Sequence, residues 1–573
     1  MSLEKIYAAE LDRLQNLGRE FARENPSMAP FLAGAGGDAD VERLLQGFAF
    51  LSAMVRQKMD DQIPEFIGDV ADLVGPELVK PMPAITVLRL SVSGNHPEGY
   101  VVNQGTVFAS KPIEGTSCQF TTSWPLTIQP LVVRSAIIRA LSATQSRLTL
   151  GFGFEDAITT QWAGKDLALY FGGAFREASI WLSSLRKRLI KVSVRSAELE
   201  LPSMPLQVEF TGLNIKSSLF NSSQSVASHL RLLREFQAFP EKALFVRLTG
   251  FENWQRALTA LPTIDFDFDI ELSKLPKPSP ENFVLNATPA ANIFETYANP
   301  IEVTHLRESY PLVPGGADSR NAQLFEVLNV TGRLQGNSLD RHYVPTTSLL
   351  VEDTSLKYQV IASEGTQISS QEYKLRLPFT DSLDLVNRET LSIQILCTNG
   401  NLIDRIRIGD ICLRTALSPE KVKVTNITFP VRASRPTLGN DSMWRIISHA
   451  RLNLKVLADA DTLKEILQMY LPEGGDPARL AAARRRVQGI EDVRITEETR
   501  LIKGSLIRGQ NIHIRLGQEY FSSDGDLVLF GELLAQFLAG TIALNSYVTV
   551  SVTNTTGGNL YVWPNLIAPS LTF

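Results

Sequence analysis

Four carboxylates at every second position make the sharpest chemical signal in this sequence: Asp265-Phe266-Asp267-Phe268-Asp269-Ile270-Glu271. A period of two puts Asp265, Asp267, Asp269 and Glu271 on one face of a strand, with Ile264, Phe266, Phe268, Ile270 and Leu272 on the other. Hard oxygen ligands this close suit Ca²⁺ or Mg²⁺. On a straight strand, however, successive side chains diverge, and the glycine and distant bidentate glutamate of an EF-hand loop are missing. The pattern therefore favours an acidic strand, solvated or facing a partner, over a metal site. The histidines (His96, His229, His305, His342, His449, His513) fall at no metal-ligand spacing, and no H-E-x-x-H occurs. Cys118, Cys397 and Cys412 are odd in number and lack C-x-x-C spacing, so they read as reduced, mostly buried thiols of a cytosolic protein.

Phosphate and acyl chemistry have no better footing. Gly151-Phe152-Gly153 is followed by Asp156 where a dinucleotide fingerprint needs its third glycine. Neither a P-loop nor a G-x-S-x-G elbow is present. Two basic clusters, Arg186-Lys187-Arg188 and Arg484-Arg485-Arg486, remain. The second is followed by Glu491, Asp492, Glu497 and Glu498, so it reads as a solvated helix face more than a docking patch for an acidic partner. No catalytic, cofactor-binding or metal-binding residue is expected. Composition agrees, because 6 His and 3 Cys in 573 residues leave little for acid–base or redox work. A hydrophobic fraction of 44% excludes a largely disordered chain, and a net charge of −5 gives no reason to expect nucleic acid.

The elements that must carry these residues fall into an α+β, multi-domain order. Residues 1–83 form a helical arm, with Leu3, Tyr7, Leu11, Leu14, Leu17 and Phe21 on one stripe and Leu44, Phe48, Leu51, Val55 and Met59 on a second helix from Asp40. A third short helix is expected after Pro64. From Ala84 to about Pro430 the chain reads as short strands in sandwich- or barrel-like modules, divided into 84–285 and 286–430 by a proline-rich linker, Lys274–Pro289. Residues 431–573 form a mixed α/β region with helices at Ser442–Leu457, Thr462–Tyr470 and Asp476–Val487. The uncharged stretch Leu533–Val552 changes from helical to strand periodicity and holds several polar groups, so it reads as a core helix and strand rather than a membrane span.

Ordered blocks along the chain resemble the TssF (ImpG, VasA) family of type VI secretion baseplate subunits. They begin with Tyr7-x-x-Glu10-Leu11, Glu20-Phe21-Ala22-Arg23 and Val41-Glu42-Arg43-Leu44-Leu45. They continue through Cys118-x-Phe120-x-Thr122, Asn292-Ile293-Phe294-Glu295, Tyr310-Pro311-Leu312 and Cys397-Thr398-Asn399-Gly400. Arg435-Pro436 with Trp444-Arg445 reads as a structural block, a rigid turn feeding a helix, and Phe530-Gly531 and Asn545-Ser546 close the set.

The resemblance implies a non-enzymatic wedge component, without cofactor, that joins TssG, TssK and TssE together with a second TssF copy. Such wedges surround the VgrG spike hub under a contractile sheath, in the bacterial cytoplasm at the inner-membrane face and without membrane insertion. Leu14, Phe21, Leu44, Phe48, Leu51 and Val55 are then expected in a helical bundle, either within the chain or shared with TssG and the second copy. The competing readings are the equivalent wedge protein of a phage-like extracellular injection particle, and a calcium-dependent binding module or hydrolase centred on Asp265–Glu271.

Overall fold

The computed structural model describes residues 3–26, 40–56, 81–434 and 459–567, apart from 157, 197–202, 216, 221–227, 253–260, 305–306, 308, 317–320, 335–339, 347–355, 365–370, 379–387, 473, 503–504, 543–545, 556–557 and 559. Two compact units emerge: Met1–Val74 with Gly439–Ile447, and Gly75–Leu438 with Ser448–Phe573. The helix after Pro64, the helix Ser442–Leu457 and the block Arg435, Pro436, Trp444, Arg445 lie outside the described residues.

The first unit holds α1 (Leu3–Glu24) and α2 (40–56). The helix α1 stops where Asn25 and Pro26 follow, as proline cannot continue the ladder. Tyr7 and Phe50 pack edge to face at 6.4 Å, and Arg56 pairs with the largely buried Glu10. On α2 the fully buried positions are Ala49 and Ala53, one turn apart, where the absence of bulk permits close approach.

In the second unit, six antiparallel strands form a barrel-like sheet. In spatial order they are Ile411–Arg414, Val107–Ser110, Gln119–Thr122, Ala287–Ala291, Ile85–Val92 and Val422–Asn426. The side chain of Asn426, fully buried, brings the two ends together. Its Oδ1 accepts from Gly409 N and Ile411 N, both at 3.0 Å, while its Nδ2 donates to the carbonyls of Arg407 and Thr428. Leu88, Phe108, Phe120, Ile128, Ile411 and Val422 fill the interior.

The expected linker Lys274–Pro289 is a correction. Its second half is core: Phe283–Leu285 and Ala287–Ala291 are strands, and every residue of the latter is buried. Proline costs a strand only its own N–H bond. Pro289 sits opposite Val87, and its carbonyl still accepts from Ser123 N at 2.9 Å.

Between Ala287–Ala291 and Ile411–Arg414 the chain builds a second, inserted barrel. Its eight strands run from Phe294–Tyr297 to Glu389–Thr398. Closure comes from the Ala298–Pro314 bridge, flanked by Asn299 N to Val313 O (2.9 Å) and Gly315 N to Tyr297 O (2.8 Å). Leu324, Val330, Tyr343, Leu375, Ile393 and Ile395 form its core.

Two more sheets surround the first barrel's connections. One orders Met204–Pro205, Leu189–Ser196, Pro262–Phe268, Ser146–Phe154 and Leu131–Ala140; the other orders Gln207–Phe210, Phe245–Thr249, Asp166–Phe171 and Phe283–Leu285. Within this mostly β region, where no helix was placed from the sequence, the chain carries α3 (Phe175–Lys187) and α4 (Ser228–Ala238). Ala178, Trp181, Leu182 and Leu185 are buried at helical spacing, and Trp181 meets Phe268 and Phe283.

In the C-terminal region, α5 (Ala460–Met469) and α6 (Pro477–Gln488) carry aspartate caps, Asp459 accepting from Thr462 N and Asp476 from Ala478 N. The final sheet runs Ile490–Ile502, Ser505–Leu516, Tyr547–Asn554 and Leu560–Ile567, its central pair parallel. A parallel pair needs a crossover, supplied by α7 (Asp524–Gly540). This helix is apolar all round because it is covered on several sides. A Cβ at Gly525 would lie 2.2 Å from the Ser179 backbone of α3, and one at Gly540 would lie 2.3 Å from the His229 ring of α4. Among the described residues no helix is long and apolar enough to cross a membrane.

Candidate functional site

The acidic row does not form a site. The strand ends at Phe268, so Asp269 and Glu271 lie past it in the turn before a short 3-10 helix, and the expected single face of four carboxylates is a correction. The two that remain on the strand are taken by neighbouring strands. Asp265, 4% exposed, accepts from Arg195 Nε at 2.7 Å and Thr149 Oγ1 at 2.6 Å. Asp267 is gripped in bidentate fashion by Arg147, Nε at 2.6 Å and the terminal nitrogen at 2.9 Å. That hydrogen bond also raises the arginine's pKa. Among the described residues no three His, Cys, Asp or Glu side chains gather closely enough to hold a metal ion.

The basic clusters divide: Arg188, Arg484 and Arg485 are exposed, as a solvated face requires, whereas Arg186, Lys187 and Arg486 turn inward. Arg186, at the end of α3, pairs with Glu532 of α7 and lies 3.9 Å from the Phe210 ring centre. Burial pushes the Arg186 pKa down and that of Glu532 up, and their attraction opposes both shifts. Lys187 lies over Trp563 at 4.2 Å and donates to the carbonyl of Val562 at 3.2 Å. Arg486 pairs with Asp526, and Arg485 donates to the carbonyl of Glu519. Periodicity could not show this, because a buried arginine and a solvated one look alike until the partner helix is placed.

The remaining reactive types are dispersed. His513 stands between the hydroxyls of Ser551 (3.1 Å) and Thr553 (3.2 Å). His229 packs against Phe537, and burial pulls its pKa down to about 4. Cys118 and Cys397 are buried and Cys412 is exposed. Burial drives the Cys397 thiol up to about 12, which holds it protonated and inert.

Among the described residues, two clefts have the volume of a small-molecule site. One, of about 610 Å³, is lined by Arg176, Lys187, Asp269, Lys274 and Asp524 among others. The other, of about 630 Å³, includes Phe429, Arg89, Glu241 and Arg479. Neither lining contains histidine or cysteine. In the second, Arg479 holds Glu241 in bidentate fashion at 2.7 and 2.8 Å, and Arg89 holds Glu155 at 2.7 Å.

What does stand unsatisfied is apolar. On α2, Leu44 is 74% exposed, Phe48 62%, Leu51 61% and Val55 60%; on α1, Phe21 is 52% exposed and Leu14 is half-buried. Leu17, Phe50 and Met54 extend the exposed set. Burying one such side chain stabilises by about 1.5–3 kcal/mol, so a row left in water is a strong driving force for association.

The whole chain matches one family. The model for "Type VI secretion system, TssF" covers residues 1–569. The chain belongs to the TssF family. It is therefore a structural component of the type VI secretion baseplate, with the mixed α+β, multi-domain fold of that family. Among relatives, "Type VI secretion system component TssF1" of Pseudomonas aeruginosa is 24% identical, the match spanning 98% of this chain and 97% of that one. Among solved structures, a chain of the TssK-TssF-TssG baseplate subcomplex from cryo-electron microscopy superposes with a TM-score of 0.78 at 25% identity, over 93% of this chain and all of that chain. A chain of the type VI secretion baseplate complex superposes at 0.66 with 22% identity over 98% of both, a likeness of fold.

Proposed function

We propose that this TssF-family chain is a non-catalytic wedge subunit whose N-terminal hairpin docks into a helical bundle with TssG. The observation that carries the reading is the row Leu44, Phe48, Leu51 and Val55 at helical spacing on α2, with Phe21 on α1, large apolar side chains that are all exposed. The similar chain in the subcomplex with TssK and TssG supports TssG and TssK as partners. By the same family logic the wedge contains TssE and a second copy of this chain, and sits around the VgrG hub at the cytoplasmic face of the inner membrane. What supports a non-catalytic reading is that the carboxylates on the Pro262–Phe268 strand are held by arginines of neighbouring strands.

Co-expression with the neighbouring TssG tests the proposal. The double variant Phe48→Asp, Leu51→Asp is expected to abolish co-purification while circular dichroism of the β-rich body stays unchanged. Recovery of TssG at wild-type yield sinks the assignment of this face.

A further inference from the structure

The inserted barrel joins its host through two single crossings of the chain, one after Ala287–Ala291 and one after Glu389–Thr398. Among the described residues no strand between Phe294 and Thr398 pairs into the host sheet. Left to themselves, two such crossings make a soft hinge. Both, however, pass through one buried amide pair.

Asn292 is fully buried and Asn399 is 3% exposed. Asn292 Oδ1 accepts from the backbone N–H of Asn399 at 2.7 Å. Its Nδ2 donates to Asn399 Oδ1 at 2.8 Å and to the Gln119 carbonyl at 2.6 Å. Asn399 Oδ1 also accepts from the backbone N–H of Gln119 at 3.1 Å. Since backbone N–H groups can only donate, the orientation of both amides is fixed. Each crossing residue therefore grips the other crossing and, through Gln119, a strand of the host barrel.

Neighbouring contacts converge on the same point. Thr121 Oγ1 donates to the Ile293 carbonyl, and Asn321 of the insert donates to Thr116 Oγ1 of the host at 2.9 Å. Gly400, which opens a 3-10 helix just past the exit strand, takes φ +53°, and a Cβ there would stand 2.7 Å from Gln323 Nε2 of the insert. Three sequence blocks far apart along the chain, 118–122, 292–295 and 397–400, thus meet at one joint.

We infer that Asn292 and Asn399 form a lock that sets the angle at which the inserted barrel stands off its host, and that without the lock the insert swings on its two crossings. The bonding pattern makes the two residues unequal. The Asn399 side chain serves as an acceptor, so Asn399→Asp retains its bonds to Gln119 N–H and Asn292 Nδ2. Asn292 must donate twice, so Asn292→Asp places a carboxylate against the Gln119 carbonyl and the Asn399 amide oxygen.

The test is the distance distribution between spin labels on the full chain, one at the exposed Leu417 of the host and one at the exposed Leu328 of the insert, with Cys412→Ser. A single narrow distribution is expected for the parent and for Asn399→Asp. At least a twofold broadening is expected for Asn292→Asp and for Asn292→Ala with Asn399→Ala. An unchanged width in the folded double-alanine variant, or equal behaviour of the two aspartate variants, overturns the lock. Hydrogen exchange of the unaltered chain stands independently of variant folding. The Gln119 and Asn399 amides are expected to exchange only with global unfolding, and exchange as fast as in exposed loops overturns the inference.

Discussion

Arg486 near the end of α6 and Asp526 in the first turn of α7 meet at 2.7 Å, with side chains 8% and 3% exposed. Asp526 also accepts from the backbone N–H and hydroxyl of Ser522 at 3.1 and 3.0 Å. The guanidinium lies 5.4 Å from the ring centre of Phe175 on α3 and 5.8 Å from that of Phe236 on α4. One ion pair thus stands where four helices converge, and it couples the C-terminal sheet to the middle of the chain.

Removing one member of that pair leaves a buried charge alone. Arg486→Met or Asp526→Leu is expected to cost about 3–5 kcal/mol, and the double replacement to recover most of the loss. Chemical denaturation of the three variants, read by tryptophan fluorescence, checks this; additive losses in the double variant count against the coupling.

Asn426 closes the host barrel with four side-chain bonds. Truncation to alanine takes the acceptor from the backbone N–H of the fully buried Ile411, worth about 1–3 kcal/mol, while Gly409 N, Arg407 O and Thr428 O each keep another partner. Asn426→Ala is therefore expected to lower the denaturation midpoint sharply, more than Ala at the exposed Leu417. A midpoint equal to that of the parent refutes closure by this residue.

The two faces of α2 separate stability from assembly. Aspartate at the exposed Phe48 and Leu51 is expected to shift stability by no more than about 0.5 kcal/mol each. Ala49→Asp or Ala53→Asp buries a charge between helices and is expected to unfold the hairpin. Proteolytic nicking of residues 3–56, followed over time, distinguishes the cases.

The depressed pKa of His229, about 4 against an ordinary value near 6.5, sets a pH dependence. Burial disfavours the charged ring in the folded chain, so the unfolded chain binds the proton first as pH falls. The neutral-ring contribution is complete above about pH 6.5 and is lost progressively towards pH 4, at most about 1.4 kcal/mol per pH unit. The variant His229→Phe is expected to flatten that part of the stability–pH curve. An unchanged slope between pH 6.5 and 4 refutes the assignment.

Calcium is expected to do nothing, because Arg195 and Arg147 already occupy Asp265 and Asp267. Thermal midpoints in millimolar calcium and in excess chelator should coincide. A calcium-dependent rise revives a metal site, since a ligand of the native state must raise the midpoint.

The sequence was legible where the signal is local. The cap set around Pro477–Gln488, the helix-to-strand change between α7 and Tyr547–Asn554, and the stripe on α1 all depend on residues a few positions apart. It was illegible where partners are distant. Ile85–Val92 pairs with Ala287–Ala291 on one side and Val422–Asn426 on the other, and no periodicity announces that. The same holds for the acidic row: alternation ending at Phe268 is readable, but Arg147 and Arg195 come from other strands. Prolines misled in the opposite sense, since a count of them suggested a break where Pro289 lies inside a buried strand.

The insertion of one barrel within another also fixes an order of events at the ribosome. The host's Ile85–Val92 emerges early but lacks its neighbour until Val422–Asn426 has been made, more than three hundred residues later. The inserted barrel, complete at Thr398, has all its strands first. Since domains fold as units while the chain lengthens, the guest matures inside an unfinished host, and the host's open edge must stay unpaired for most of synthesis. The barrel's last strand brings Asn426 with it, so the residue that seals the barrel also marks the moment at which its open edge disappears.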